Sequence, residues 1–477
     1  MDGSDLPART EKAARVVGSL CKVGMGLLVL PVTRNSVWSV AFGLPRSVQV
    51  SAHTIFGNCW VLLVLAHVGL MVVASDAVGK SPLSAFPDNY TIGLISAAAA
   101  FSLVCVGVFA REAMRRSWHE VFLATHVLSM ATLFPAVLWH ADGAWKFVLG
   151  GASLWLVDHA VRFARACMAV QCKDAKFMGG SSGEVLRLSY VVDGGGKLCS
   201  PPSAKRPKSA LLHGMGQHVY LNVPELSQLE WHPFSISSAA EDRMTTHHIK
   251  SWGAGTFTGK LHALCKQATE EGRLSRLRIN VDGPYGVPLE YQRYEKIIFV
   301  AGGIGITNIH SSFKTLYVLA KAGLLPVTRV HLIWAAKDPR YFDMFAETFR
   351  TVGRDSLHTR FKVSFYATQE TTASGQPLSG GGSSSSVGSA SGHKGSSSAE
   401  HSRSSGGHGS TSGVVGGSSS SVPYEIGRPN LLRDLVGLSA YGMHALVAAS
   451  GPPELRETCH RLAIKCGVDF QDECFQL

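Results

Sequence analysis

Two regimes of hydrophobic patterning divide the 477-residue chain. Between residues 14 and 166 apolar positions run on with few interruptions, in segments near the roughly 20 residues a helix needs to cross a bilayer. The pattern predicts a polar tail over 1–13 and five spans at 14–33, 51–74, 90–111, 119–141 and 145–166. Lys22 makes the first span the weakest, and Pro135 predicts a kink in the fourth. From residue 168 the pattern changes to short β-type runs ("GEVLRLSYVV", "GQHVYLNVP", "HPFSISSA", "THHIKSW", "LRINVDGPYG"), which predict a small antiparallel barrel. From "KIIFVAGGIGIT" onward strands alternate with helical stretches, predicting a parallel sheet wound with helices. Residues 193–210 are rich in Gly, Pro and Lys, and 371–421 are nearly all Ser and Gly. Neither stretch can bury a core, so both read as disordered loops.

Charge adds an orientation. Arg34 and Arg46, then Arg111, Arg115 and Arg116, then Arg162, Arg165, Lys173 and Lys176 follow alternate spans, so the positive-inside rule places the long C-terminal part in the cytosol. The chain's start then lies outside, with Arg9, Lys12 and Arg15 weighing against it. The one N-x-S/T sequon, Asn89-Tyr90-Thr91, falls in an outer loop. No cleavable signal peptide is apparent. The formal charge of +11 raises nucleic acid as a partner, but no basic cluster is interleaved with stacking aromatics, and that partner is set aside. Ten cysteines without a CxxC indicate neither a disulfide framework nor a zinc knuckle. His393, His401 and His408 read as part of a spacer.

The chemistry begins with histidine. The second span holds His53 and His67, and the fourth holds His126 and His140, each pair fourteen residues apart. At about 100° and 1.5 Å per residue, each pair lies on one helix face with roughly 21 Å between its rings. Imidazoles within a membrane are costly and mark function. Bis-histidine haem needs this layout: two facing helices, two rings on each, one pair per haem. His53 pairs with His126 on the cytosolic side and His67 with His140 on the outer side. His119 has no counterpart and reads as structural. Arg34 either neutralises a haem propionate or is a plain positive-inside anchor.

In the soluble half, His232, Pro233, Phe234 and Ser235 resemble the HPF[ST] motif of the ferric reductase and NADPH oxidase family, where it cradles the flavin. "HHIKSWGAGTFTGKL" is similar to the family's next element, which implies that Lys250 and Thr258, with His248 beside them, bind FAD. "VDGPYG" (Gly283, Pro284) and "VAGGIGIT" (Gly302, Gly303, Gly305, Thr307) follow in family order. The latter reads as a strand, a glycine turn and a helix N-terminus, a phosphate-binding arrangement. "VAASGPPEL" (Ser450, Gly451, Pro452) resembles the element near the nicotinamide, and Phe475 the closing aromatic that covers the flavin. Lys337 and Arg428 stand where the family holds a 2′-phosphate, favouring NADPH over NADH. "LPVTRN" and the histidine spans extend the resemblance over residues 14–477 apart from the inserts. Three positions depart from it. One span customary ahead of the first is missing from this chain or from its topology, Ser450 replaces a common cysteine, and Asn308 follows Thr307 where proline is common.

The resemblance implies an α-helical transmembrane bundle joined to a cytosolic ferredoxin-NADP reductase-like part. The expected domains are 14–166 for the di-haem bundle, 168–290 for an antiparallel β-barrel FAD domain, and 291–477 for a doubly wound α/β NADPH domain. The cofactors are FAD, two haems b and NADPH. The expected activity is ferric-chelate reduction across a membrane, with the plasma membrane as the expected location and an iron transporter working alongside. Ser235, Ser450 and Phe475 are the residues placed at the reacting rings. The absence of a calcium-binding loop and the Ser450 variant favour ferric chelate over oxygen as acceptor. A superoxide-producing oxidase is the alternative, and a proton-relay transporter a distant one, since it leaves the flavin and nucleotide motifs unused.

Overall fold

The computed structural model describes residues 6–34, 36–44, 46–79, 111, 118–166, 169–180, 183–191, 211, 213–286, 288–325, 327–369, 421–436 and 444–472. The chain divides into two compact units, one built on residues 1–167 and the other on most of residues 168–477.

The first unit is helical: α1 Leu6–Val29, the short α2 Val37–Phe42, α3 Arg46–Asp76, α4 His119–His140 and α5 Ala144–Ala166. The predicted span at 90–111 lies outside the described residues except for Arg111. Residues 6–13 are not a tail but the start of α1. Ala, Arg, Glu and Lys are good helix formers, and Glu11 pairs with Arg15 one turn on at 2.7 Å. Within α3 and α4, Val48–Asp76 and Val121–His140 are long and apolar enough to cross a membrane. The α4 helix is continuous through Pro135. Close packing of α1 rests on glycines: a Cβ at Gly24 would meet the Trp60 ring at 2.8 Å, and one at Gly26 the Phe147 carbonyl oxygen at 2.4 Å. Trp60 Nε1 donates to the Cys21 carbonyl at 2.9 Å, satisfying the one polar atom of a buried indole.

The second unit has two lobes. In the barrel lobe, β1 Ala169–Met178, β2 Val185–Tyr190, β3 His218–Asn222, β4 His232–Ser235, β5 Thr245–Lys250 and β6 Arg278–Tyr285 form a sheet in the order β4-β3-β6-β1-β2-β5. The pairings of β1 with β2 and β6, of β2 with β5 and of β3 with β4 are antiparallel. The two ends of that order meet just past β4, where Ser237 N–H donates to the Thr246 carbonyl at 2.8 Å. Leu186, Leu188, Val219, Leu221, Ile249 and Ile279 fill the interior. Helix α6, Phe257–Glu270, covers one end and is capped by Thr256, whose hydroxyl accepts from Gly259 N–H.

In the α/β lobe, β7 Lys296–Gly302, β8 Arg329–Ala336, β9 Phe361–Ala367, β10 Glu425–Ile426, β11 Ala445–Ser450 and β12 Asp469–Asp472 form a parallel sheet in the order β10-β9-β8-β7-β11-β12. Helices α7 Ile306–Lys321 and α8 Ala346–Arg354 contribute to the core on one face, and α9 Leu431–Val436 and α10 Pro453–Cys466 to that on the other. The order runs away from β7 in both directions, so the topological switch falls between β7 and β11. Such a sheet binds its ligand at that point, beyond the carboxyl ends of the strands.

Candidate functional site

In the helical unit the four intramembrane histidines meet in the expected pairs. The ring centres of His53 and His126 are 6.2 Å apart, and those of His67 and His140 are 6.5 Å apart. Two imidazole nitrogens bound about 2 Å either side of one metal put the ring centres roughly 6 Å apart, so both spacings suit bis-histidine ligation. The orientation of two rings is fixed by backbone. His53 Nδ1 donates to the Leu28 carbonyl at 3.0 Å and His67 Nδ1 to the Ala14 carbonyl at 2.8 Å. A carbonyl only accepts, so each neutral ring carries its proton on Nδ1 and keeps a lone pair on Nε2 for a metal. Opposite His53, the Nδ1 of His126 is buried with no hydrogen-bond partner among the described residues. These residues fit a haem at each level. Gly18 makes the His67–His140 level compact, since a Cβ there would lie 2.8 Å from His67 Cε1. Arg34 is half-buried at the end of α1, its backbone N–H donating to the buried Asp158 carboxylate at 3.1 Å.

In the barrel lobe, β4 presents His232, Pro233, Phe234 and Ser235, all half-exposed, along its pairing with β3. His232 stacks on Phe257 with 4.0 Å between ring centres, at the N-terminus of α6. Thr258 lies in the same first turn, its hydroxyl 3.1 Å from that of the capping Thr256 and accepting from Trp252 N–H at 3.3 Å. Lys250 closes β5, its ammonium 3.6 Å from Glu184 and over the Tyr341 and Trp252 rings. A helix N-terminus and a cation there are suited to a pyrophosphate. His248 is placed differently from Lys250 and Thr258: it is buried, with Nδ1 2.8 Å from Ser237 Oγ and its ring against Phe345. It supports the site from inside the protein. Gly283 brings β6 close against β3, where a Cβ would lie 3.0 Å from Val219 Cγ1, and Pro284 follows it.

At the switch point the two glycine motifs touch. A Cβ on Gly302 would meet Pro452 Cδ at 2.7 Å, one on Gly305 the Ser450 carbonyl carbon at 2.8 Å, and one on Gly451 the Gly302 Cα at 2.9 Å. These carbon-free positions let the turn after β7 and the turn after β11 form one cleft floor. Gly303 has φ +55°, which a side chain would strain, and the Thr307 hydroxyl donates to the Ile304 carbonyl at 3.1 Å. Ser450 ends β11, buried. Lys337 follows β8 and Arg428 follows β10, both exposed beyond the same ends of the parallel strands. Asp338, beside Lys337, is engaged by Arg340: Nη2 donates at 2.6 Å, Nε at 3.0 Å and the backbone N–H at 2.9 Å. Burial works to raise the Asp338 carboxyl, but these hydrogen bonds outweigh it and hold the group below its ordinary value. Phe475 lies outside the described residues.

Sequence reasoning missed several contributors. The carbonyls of Leu28 and Ala14 leave no mark in side-chain identity. The Asp338–Arg340 pair and the buried His310 belong to none of the motifs quoted above, and His247 passes there as a neighbour of His248. The run of polar residues along α7, Asn308, His310, Ser311 and Ser312, all buried, is the trace of a second packed face.

Residues 17–137 match the family described as "Ferric reductase like transmembrane component". Residues 203–289 match "FAD-binding domain", and residues 294–464 match "Ferric reductase NAD binding domain". The chain is 24% identical to "Ferric reduction oxidase 2" of Arabidopsis thaliana over 396 residues, which are 80% of this chain and 50% of that protein. It is 24% identical to a superoxide-generating NADPH oxidase heavy chain of Dictyostelium discoideum over 402 residues, 76% of this chain and 73% of that one. The chain thus spans about half the length of the ferric reduction oxidase it matches. Among solved structures, a flavohemoglobin from Malassezia yamatoensis aligns over 98% of both chains at 12% identity, with a TM-score of 0.42.

Proposed function

This chain belongs to the ferric reductase and NADPH oxidase family, with the transmembrane, FAD-binding and NAD-binding domains in that order, and on that premise we propose an NADPH-dependent ferric-chelate reductase of the plasma membrane. The observation that carries the reading is the spacing of the two imidazole pairs, 6.2 and 6.5 Å, on helices apolar enough to span a bilayer. When bound, FAD takes two electrons from a nicotinamide and releases them singly, and a haem at each level carries them across the lipid.

The residues divide the labour. His53 and His126 would hold the inner haem, His67 and His140 the outer one, with the carbonyls of Leu28 and Ala14 setting the ring tautomers. Ser235 offers a hydroxyl and a backbone edge to the isoalloxazine, while Lys250, Thr258 and the first turn of α6 receive the pyrophosphate. Gly302, Gly303 and Gly305 admit the nucleotide phosphates to the N-terminus of α7, and Ser450 and Gly451 close the nicotinamide end. Lys337 and Arg428 supply cations for a 2′-phosphate, and Arg340 keeps the Asp338 carboxylate from repelling it. Ferric chelate as acceptor rests on the kinship with ferric reduction oxidases, and an iron transporter working alongside is the proposed consumer of the product.

A superoxide-producing oxidase is the second reading, favoured by the match to the Dictyostelium heavy chain. One experiment separates them. Protein loaded with FAD and haem is reduced with NADPH, then mixed with ferric citrate under nitrogen or with oxygen alone, and the decay of the reduced α-band is timed. Faster reoxidation by ferric citrate is the expected result; faster reoxidation by oxygen, with superoxide detected, selects the oxidase.

A further inference from the structure

Resting on the NADPH-to-FAD reading above, we propose that His310 is a positioning residue for hydride transfer, holding the flavin-presenting strand β4 against the glycine turn by gripping the Ser237 carbonyl from the nucleotide lobe. His310 lies on α7 five residues beyond Gly305 and is buried. Its Nδ1 donates to the Ser237 carbonyl at 2.8 Å. Because a carbonyl only accepts, the proton is on Nδ1 and Nε2 is left as an acceptor; the Thr348 hydroxyl donates to it at 3.0 Å. The ring also lies on Phe345, 3.8 Å between centres and 20° from parallel. Both polar atoms and one face of the imidazole are therefore spoken for, and the ring has one orientation open to it.

The segment it grips directly follows the flavin motif and is held from both lobes. On the barrel side, His247 Nδ1 donates to the Ser235 carbonyl at 2.7 Å, and Tyr190 OH lies 3.0 Å from His247 Nε2. On the nucleotide side, Ser311 Oγ donates to the Ser238 carbonyl at 2.7 Å, and Lys314 reaches both Asp242 oxygens at 2.7 and 2.8 Å. The Lys314–Asp242 pair is about 30% exposed on each side, where solvent screens it. On the nucleotide side, His310 is the buried residue that is bonded through two side-chain atoms. Hydride transfer is steep in distance: a misplacement of about 1 Å can cost about a hundredfold in rate. A link from the helix that starts at the nucleotide turn to the strand that presents the flavin controls that distance.

The test uses the full chain loaded with FAD, mixed anaerobically with NADPH in a stopped-flow instrument that follows flavin bleaching. His310→Leu removes the donor at similar volume; His310→Asn restores an N–H near the Nδ1 position. The expected result for His310→Leu is full FAD content, a half-saturating NADPH concentration within about twofold of wild type, and a limiting rate lower by about tenfold or more. His310→Asn should recover to within about threefold of wild type. An undiminished rate in His310→Leu, or an equal loss in His310→Asn, overturns the proposal. Should His310→Leu lose FAD, Thr348→Val takes its place: it frees the far side of the ring, and a slower rate with FAD retained supports the clamp while an unchanged rate overturns it. A wild-type chain that neither NADPH nor NADH reduces would instead remove the functional reading, and the clamp with it.

Discussion

A carboxylate at the end of the second strand of a dinucleotide fold favours ribose hydroxyls and repels a 2′-phosphate. Asp338 stands at that place, but the Arg340 guanidinium covers it at 2.6 to 3.0 Å. Arg340→Met should expose the charge and raise KM for NADPH by about tenfold while KM for NADH changes little, with Asp338→Asn on the same background restoring NADPH. Steady-state KM for both cofactors with an artificial flavin acceptor decides it; an unchanged ratio would leave Asp338 as a cap for the turn at Pro339–Phe345 and nothing more. Lys337→Ala should act on NADPH alone in the same assay. These residues also show the reach of sequence at this scale. Lys337 was legible only through the family resemblance, whereas the state of Asp338 depends on a partner two residues away that matches no pattern.

Among the elements, α1 matters beyond its own hydropathy. Its glycines bring it close to α3 and α5, and its carbonyls orient the histidines of α3. Gly18→Leu should therefore dislodge His67 and remove about half of the low-spin α-band intensity, with the rate of NADPH oxidation by artificial flavin acceptors retained. An unaltered haem spectrum would contradict the close approach. The two histidine spans were readable because a fourteen-residue interval returns to the same helical face. Other elements were not. Strand β1, "AVQCKDAKFM", carries Lys173, Asp174 and Lys176 and breaks its register between Cys172 and Asp174, which blurs its alternation. Helix α6 hid inside a motif quoted for its flavin contacts.

For the whole molecule, the order of motifs foretold the succession of bundle, barrel and wound sheet, but not how barrel and wound sheet are joined. Buried imidazoles lie at and beside that junction, along with Ser311 and the Lys314–Asp242 pair, and they give it a pH signature. Burial pushes His247 and His310 down to about 4. Burial, and after it the neighbouring His310 ring, Arg187 and His247, also lower His248 well below its usual value, while Lys314 and Asp242 lie beside His310. In the unfolded chain these rings would titrate near 6.5, so between about 6.5 and 4 the unfolded state binds more protons than the folded one. The stability these rings contribute is therefore fully present above about 6.5 and is lost as pH falls toward 4. Thermal release of flavin fluorescence, measured from pH 7.5 down to 4.5, should show a falling midpoint below about 6.5, and a level midpoint would count against neutral buried rings.

Since α7 starts at the nucleotide turn and touches the flavin segment one turn later, the count from Gly305 to His310 behaves as a ruler. Adding or deleting one residue in that stretch would swing the imidazole by about 100°, away from its carbonyl. Length between two marks, more than letter identity, is then what drift in this stretch must preserve.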